Sequence, residues 1–351
     1  MRSVLSYGRS EIATIDQIRG MLLEEAVLQL LRTAGYTTVE NAGNDPTLHD
    51  GHSGLEVHGR GGRHQLDAIA DPSVSLPFSS PQRLVVEAKC YSTTTPVGLP
   101  IIRNAVGVLK DISEFYVPPA DPADLVYTRR YHYQYSMFSA SGYTRDAERY
   151  AFAQDIFLIQ YSRSSFIFPI VGAIRQVTQF DFGTVTRNRI KIDMTQFRRY
   201  IRETIRHGEH WHFDQIPNGA NEKIAAFVQA VIRIPGTLLA IAGHRFPIHL
   251  IPAPAIDLYD LKDYYRVRIT WDERSWYLND EHGYRLFSFD LPPVLFNLYA
   301  EHGILTRSKA LDLKAEALNM MQALLVTENM TRLITFELDK NWVYQVREHL
   351  V

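Results

Sequence analysis

The chain has 351 residues, 46% of them apolar and 22% charged, and a formal net charge of −2. That is length enough for two domains, a composition of the soluble globular class, and no global basic excess of the kind that marks a general nucleic-acid binder. One cysteine, Cys90, excludes an intrachain disulfide and a cysteine zinc cluster, and fits a reducing cytoplasm. No run approaches the roughly 18 apolar residues of a membrane span, and the N-terminus lacks a basic-then-apolar signal pattern. A cytoplasmic location away from membranes is therefore expected.

Residues 11–34 are expected to be helical. At about 100° per residue, Leu23, Val27, Leu30, Leu31 and Ala34 make one apolar stripe. Glu24 lies on its edge, while Glu25 falls on the opposite face with Gln29 and Arg32, where it would meet water. Residues 41–63, rich in Gly, Asn, Asp and His, predict a loop or irregular hairpin. Strands are expected near 64–70 and 83–90, joined by an unusually long connection, DPSVSLPFSSPQ (71–82). Pro100 suits a first helical position, and Ile102, Ala105, Val106, Leu109 and Ile112 then recur at helical spacing. A strand near 133–139, a helix beginning around Thr144 and a strand over 155–161 follow. Strands interleaved with helices predict an α/β fold.

Two segments carry chemistry. GRGGRHQLDAIA (59–70) places Asp67 at the start of an apolar run, and VVEAKC (85–90) ends another with Glu87-Ala88-Lys89. Side chains alternate along a strand, so Glu87 and Lys89 share one face while Val86 and Ala88 point to the other. Two carboxylates suit a hard divalent cation, which takes oxygen ligands. A nearby lysine can orient water and stabilise charge on a phosphorane-like transition state. The pattern points to metal-dependent phosphodiester hydrolysis. A strand-edge acid and a surface Glu–Lys pair are the structural alternative.

At these residues the chain resembles the PD-(D/E)xK nuclease superfamily, and within it the Mrr-like restriction endonucleases. Gly20-Met-Leu-Leu-Glu24 followed by LLRTAGY (30–36) is similar to the family's first helix. HQLD (64–67) resembles its Asp strand, VVEAK (85–89) its Glu-x-Lys strand, and FSASGYTRDAERYAFAQDIFLIQ (138–160) its later strand–helix–strand. The resemblance covers residues 15–162. It implies a restriction-endonuclease-like core, a mixed central sheet flanked by helices, in a nuclease domain over 1–165. It also implies catalysis by Asp67, Glu87 and Lys89, with Mg²⁺ or Mn²⁺ held by Asp67, Glu87 and the Ala88 carbonyl, and Glu24 completing or supporting the metal shell. Double-stranded DNA is the expected substrate, with RNA the alternative. A homodimer and a prokaryotic restriction or defence role follow from the same resemblance.

Residues 166–351 match no family by inspection and are expected to form an α+β domain for recognition, dimerisation or regulation. There an activating partner protein or ligand would act if the nuclease is gated. RNRIKIDMTQFRRYIRETIR (187–206) sets Arg187, Arg189, Lys191, Arg198, Arg199, Arg202 and Arg206 against Asp193 and Glu203. From 194 it reads as a helix with Phe197, Ile201 and Ile205 inward. The outward Arg198, Arg199 and Arg202 are candidate phosphate contacts, a solvated or salt-bridged face being the alternative. In YTRRYHYQY (127–135), Arg129 and Arg130 among tyrosines are candidate nucleic-acid contacts, although alternating Tyr also suits a half-buried strand. His207, His210 and His212 match no metal signature. Residues 228–251 read as strands and turns, 264–289 as a β-meander, 292–299 and 309–325 as helices, 331–338 as a strand and 341–350 as a terminal helix.

Overall fold

The computed structural model describes residues 11–51, 54–74, 80–118, 130–161, 167–184, 189–208, 210–234, 236–243, 246–272, 275–292, 294–295, 307–327 and 330–348. The fold is mixed α/β. Strand β1 (Glu11–Ala13) precedes helix α1 (Ile15–Thr33). Ile18, Met21, Leu22, Leu23, Ala26, Val27, Leu28 and Leu31 of α1 are all buried, so this helix is apolar on nearly every side, as interior helices are. Then come β2 (Tyr36–Val39), β3 (Leu48–Gly51), β4 (Gly54–His58), β5 (Arg63–Gln65), β6 (Ala68–Pro72) and β7 (Gln82–Lys89). Helix α2 (Leu99–Ser113), β8 (His132–Ser139), α3 (Arg145–Ala153) and β9 (Ile156–Gln160) follow.

Next are α4 (Phe168–Gln176), β10 (Ile190–Ile192), α5 (Met194–His207) and α6 (Asn218–Ile232). The last stretch holds β11 (Leu238–Ala242), β12 (Phe246–Pro252), β13 (Tyr264–Trp271), β14 (Trp276–Asn279), β15 (Arg285–Phe289), α7 (Arg307–Ala317), β16 (Met320–Val326), β17 (Thr331–Leu338) and α8 (Lys340–Glu348).

The chain divides into two compact units, each made of two segments: Met1–Gln29 with Ile167–Ile234, and Leu30–Phe166 with Pro235–Val351. The division at 165/166 read from the sequence falls beside one of these boundaries. Residues 1–29 and 235–351 each join the unit on the far side of it.

In the larger unit a five-stranded sheet has the order β2-β6-β7-β8-β9. Its β2–β6–β7 part is antiparallel and its β7–β8–β9 part parallel. Val85, Tyr133, Tyr135, Met137 and Leu158 on one face pack with Ile102, Ala105 and Ile112 of α2 and Ala147 and Ala151 of α3. The Thr144 hydroxyl caps α3, accepting from the Ala147 N–H, and Asp146 and Glu148 in the first turn complement the helix dipole.

The 41–63 segment forms a small antiparallel sheet, β3-β4-β5. The other half of this unit is a closed seven-stranded barrel, β11-β12-β15-β14-β13-β17-β16, filled by residues such as Leu250, Ile269, Phe287, Met321 and Phe336. Phe152 of α3 stacks on Phe246 of β12 with ring centroids 5.7 Å apart, joining sheet and barrel. The expected meander is β13–β15.

Three elements differ from expectation. Residues 11–13, expected to be helical, form β1, paired with β10. Residues 320–326, expected to continue a helix, form β16, with Met321, Ala323 and Leu325 inward. Pairing on both sides, to β11 and β17, overrides the helix propensity of Met, Gln, Ala and Leu. Residues 228–232 finish α6 rather than starting a strand. The helix expected over 292–299 lies largely outside the described residues.

In the smaller unit α4 and α5 each pack on α6, and β1 pairs with β10 in a two-stranded sheet. Arg19 of α1 donates to the carbonyls of Arg175 and Val177 at the end of α4, a cation on the negative end of a helix.

Candidate active site

Strand β5 belongs to the three-stranded sheet and β6 to the five-stranded one. The chain must turn between them, and Asp67 sits on that bend, not within a strand as its apolar context suggests. Ala68 pairs with Val86, and the carboxylates of Asp67 and Glu87 both lie close enough to Lys89 to favour its charged form. The Asp67 N–H donates to the Val86 carbonyl at 3.1 Å, and Asp67 Oδ2 accepts the Ala88 N–H at 2.7 Å. Val86 O and Ala88 N–H thus face β6, whereas the Lys89 carbonyl faces β8, accepting from Ala140. Alternation along the strand turns the Ala88 carbonyl to the Asp67 side.

Glu87 and Lys89 share a face as expected. Lys89 Nζ lies 2.5 Å from Glu87 Oε1, and the Tyr135 hydroxyl donates to Glu87 Oε2 at 2.7 Å. Burial works against the Lys89 ammonium, yet Glu87 first and Asp67 after it hold its pKa above the ordinary lysine value. Burial, then the same two carboxylates, push the Tyr135 phenol well above its usual range, so it stays a neutral donor. Asp67, Glu87, Lys89 and the Ala88 backbone therefore converge at one end of β6 and β7. Two carboxylates and a carbonyl make an all-oxygen donor set, the kind a Mg²⁺ ion that keeps several waters accepts. No group of three or more His, Cys, Asp or Glu able to hold a metal occurs among the described residues.

Glu24 lies in the smaller unit, where Arg198 Nη2 approaches its Oε2 at 2.6 Å. Glu25 corrects the sequence expectation: it is 1% exposed, not in water. Arg202 grips it through two bonds, Nε to Oε2 at 2.8 Å and Nη2 to Oε1 at 2.6 Å. The cause is that α1 is covered on more than the one stripe its apolar residues define. Arg198 and Arg202 thus face carboxylates of α1, the salt-bridged alternative to phosphate contact. Arg199, its side chain 74% exposed, lies 3.9 Å from Glu203. Arg130 is half-exposed, 3.7 Å from Asp45; Arg129 lies outside the described residues. Tyr133 and Tyr135 are buried in β8, as a half-buried strand requires. His212 approaches Asp214 at 3.2 Å.

Sequence inspection missed Tyr135 and a second polar cluster at the opposite end of β7. There Arg83 donates twice to Asp71, at 2.8 Å each, and to Asp45 at 2.8 Å and Thr47 at 3.2 Å. Its guanidinium lies over the Tyr131 ring, 3.7 Å from the centroid. An arginine inside a strand otherwise reading Leu-Val-Val was the available signal.

No helix among the described residues is long and apolar enough to cross a membrane. No protein-family model matches the chain, and no curated protein matches it. Among solved structures, it is similar to the crystal structure of a protein of unknown function, with 14% identity, a TM-score of 0.31, and coverage of 60% of this chain and 94% of that one.

Proposed function

We propose that the chain is a metal-dependent endonuclease that hydrolyses phosphodiester bonds, in DNA first of all, with its site at the end of β6 and β7. The observation that carries this is the convergence of Asp67, Glu87 and Lys89. The mixed five-stranded sheet flanked by α2 and α3 supports a restriction-endonuclease-like core. Asp67, Glu87 and the Ala88 carbonyl would hold Mg²⁺ or Mn²⁺. Bound there, the ion would neutralise phosphate charge and lower the pKa of an attacking water. Lys89, charged and half-buried, orients that water and stabilises the charge growing on the phosphate oxygens. Cleavage of both strands of a duplex calls for two such sites, hence a homodimer. A cytoplasmic restriction or defence role rests on the family resemblance alone.

The test is incubation of the purified chain with plasmid DNA, single-stranded DNA and RNA, in Mg²⁺, Mn²⁺ or chelator, beside Lys89→Ala. Metal-dependent cleavage lost in the variant supports the proposal and names the substrate. Cleavage that persists in chelator or in Lys89→Ala removes it.

A further inference from the structure

Glu87 is held from two sides, and only one of its partners has been given a task. Tyr135 comes from β8, paired parallel to β7 with Val85 opposite Tyr135. Its ring enters the core beside Val85 and Met137, 1% exposed, and its hydroxyl reaches forward to Glu87 Oε2 at 2.7 Å. A buried phenol usually finds a hydrogen-bond partner, and this one finds a carboxylate of the candidate site. The Ala88 N–H does the same for Asp67 Oδ2 at 2.7 Å. Each carboxylate is thus anchored through one oxygen by a neutral donor, which fixes direction without cancelling charge.

We propose that Tyr135 is a positioning residue that presents Glu87 to a divalent cation against the competing pull of Lys89. This rests on the nuclease function proposed above. Lys89 and the cation compete for Glu87: the ammonium already lies 2.5 Å from Oε1, and without the Tyr135 anchor on Oε2 the carboxylate is free to turn wholly towards that ammonium. Partners of metal ligands typically contribute about 10- to 100-fold in metal affinity or activity. Tyr135→Phe keeps the buried ring and removes only the anchor.

The test is Mn²⁺ binding to the full chain, followed by the electron paramagnetic resonance of free Mn²⁺. It compares wild type, Glu87→Gln, Tyr135→Phe, Lys89→Met and the Tyr135→Phe/Lys89→Met pair, with plasmid cleavage against metal concentration for the first three. Tyr135→Phe is expected to weaken Mn²⁺ binding about tenfold. It should raise the half-saturating metal concentration equally, leaving the rate at saturating metal within about twofold. In the Lys89→Met background the same change should cost less than about threefold, because the competitor is gone; a purely structural role predicts the full loss in both backgrounds. Unchanged Mn²⁺ binding in Tyr135→Phe, or an equal loss in both backgrounds, overturns the positioning role and leaves the nuclease standing. Wild-type Mn²⁺ binding that ignores Glu87→Gln overturns the nuclease site, and this role with it.

Discussion

Each end of strand β7 sets one of the strand's own cations beside two carboxylates, and the two ends use the pairing differently. At one end Arg83 meets Asp45 and Asp71; at the other Lys89 meets Glu87 and Asp67. Arg83 is buried, its planar fork matches Asp71 with two bonds, its remaining nitrogen takes Asp45 and Thr47, and Tyr131 closes over it while donating to Asp45 at 2.8 Å. Lys89 is a point charge on a flexible stem, half-buried, serving two carboxylates. The first arrangement completes itself. The second places two carboxylates beside one lysine. Perturbed, incompletely neutralised groups of that kind mark functional sites more often than structural ones.

The largest expected effect is at the closed end. Arg83→Met leaves Asp71 without its cation and Asp45 with the more distant Arg130, and should cost about 3–5 kcal/mol in urea unfolding. A loss under about 1 kcal/mol would erase the contrast. Lys89→Ala should lower the cleavage rate about 100- to 1000-fold, equivalent to roughly 3–4 kcal/mol of transition-state stabilisation, while changing folding stability by less than about 1 kcal/mol. Equal destabilisation at both ends would make Lys89 as structural as Arg83.

A buried group without a compensating charge sharpens the point. Both ring nitrogens of His249 on β12 are shut from solvent and lack a hydrogen-bond partner among the described residues, and burial lowers its pKa to about 4. The unfolded chain, titrating near 6.5, binds the proton first, so stability falls as pH drops from about 6.5 towards 4. The loss approaches roughly 3 kcal/mol, from 2.5 pKa units at about 1.36 kcal/mol each. Urea midpoints against pH for wild type and His249→Phe check this: the variant should lose that part of the slope, and parallel curves would refute it.

The smallest effect is expected at Arg199. Arg199→Ala should stay within about 0.5 kcal/mol of wild-type stability. If this arginine contacts phosphate, the salt dependence of DNA binding should fall by about one unit of slope; an unchanged slope assigns it to the solvated face.

Apart from β2, which the sequence reading did not identify, the strands and helices of the five-stranded sheet were legible because each has a local signature. Examples are the alternation in β7 and β8, the helical spacing of Ile102, Ala105 and Ile112, and the Thr144 cap. The candidate triad was legible as residue types, and the shared face of Glu87 and Lys89 followed from a period of two. The bend at Asp67 was not, because a change of sheet between Leu66 and Ala68 leaves no mark in an apolar run. Glu25 was misjudged because a helical wheel shows the strongest stripe and not how many sides are covered. Strand β16 was hidden by good helix formers, its state decided by neighbours distant in sequence. Tyr135 and Arg83 could be given roles only once the β7–β8 register and the partners of β6 were known, since both act across strands.

The most direct test of the central claim is relaxation of supercoiled plasmid in Mg²⁺ by wild type and by Asp67→Asn, each confirmed folded by its unfolding transition. Nicked or linear DNA from the wild type and none from Asp67→Asn is the predicted result. Equal cleavage by both proteins would contradict an active site at the end of β6 and β7.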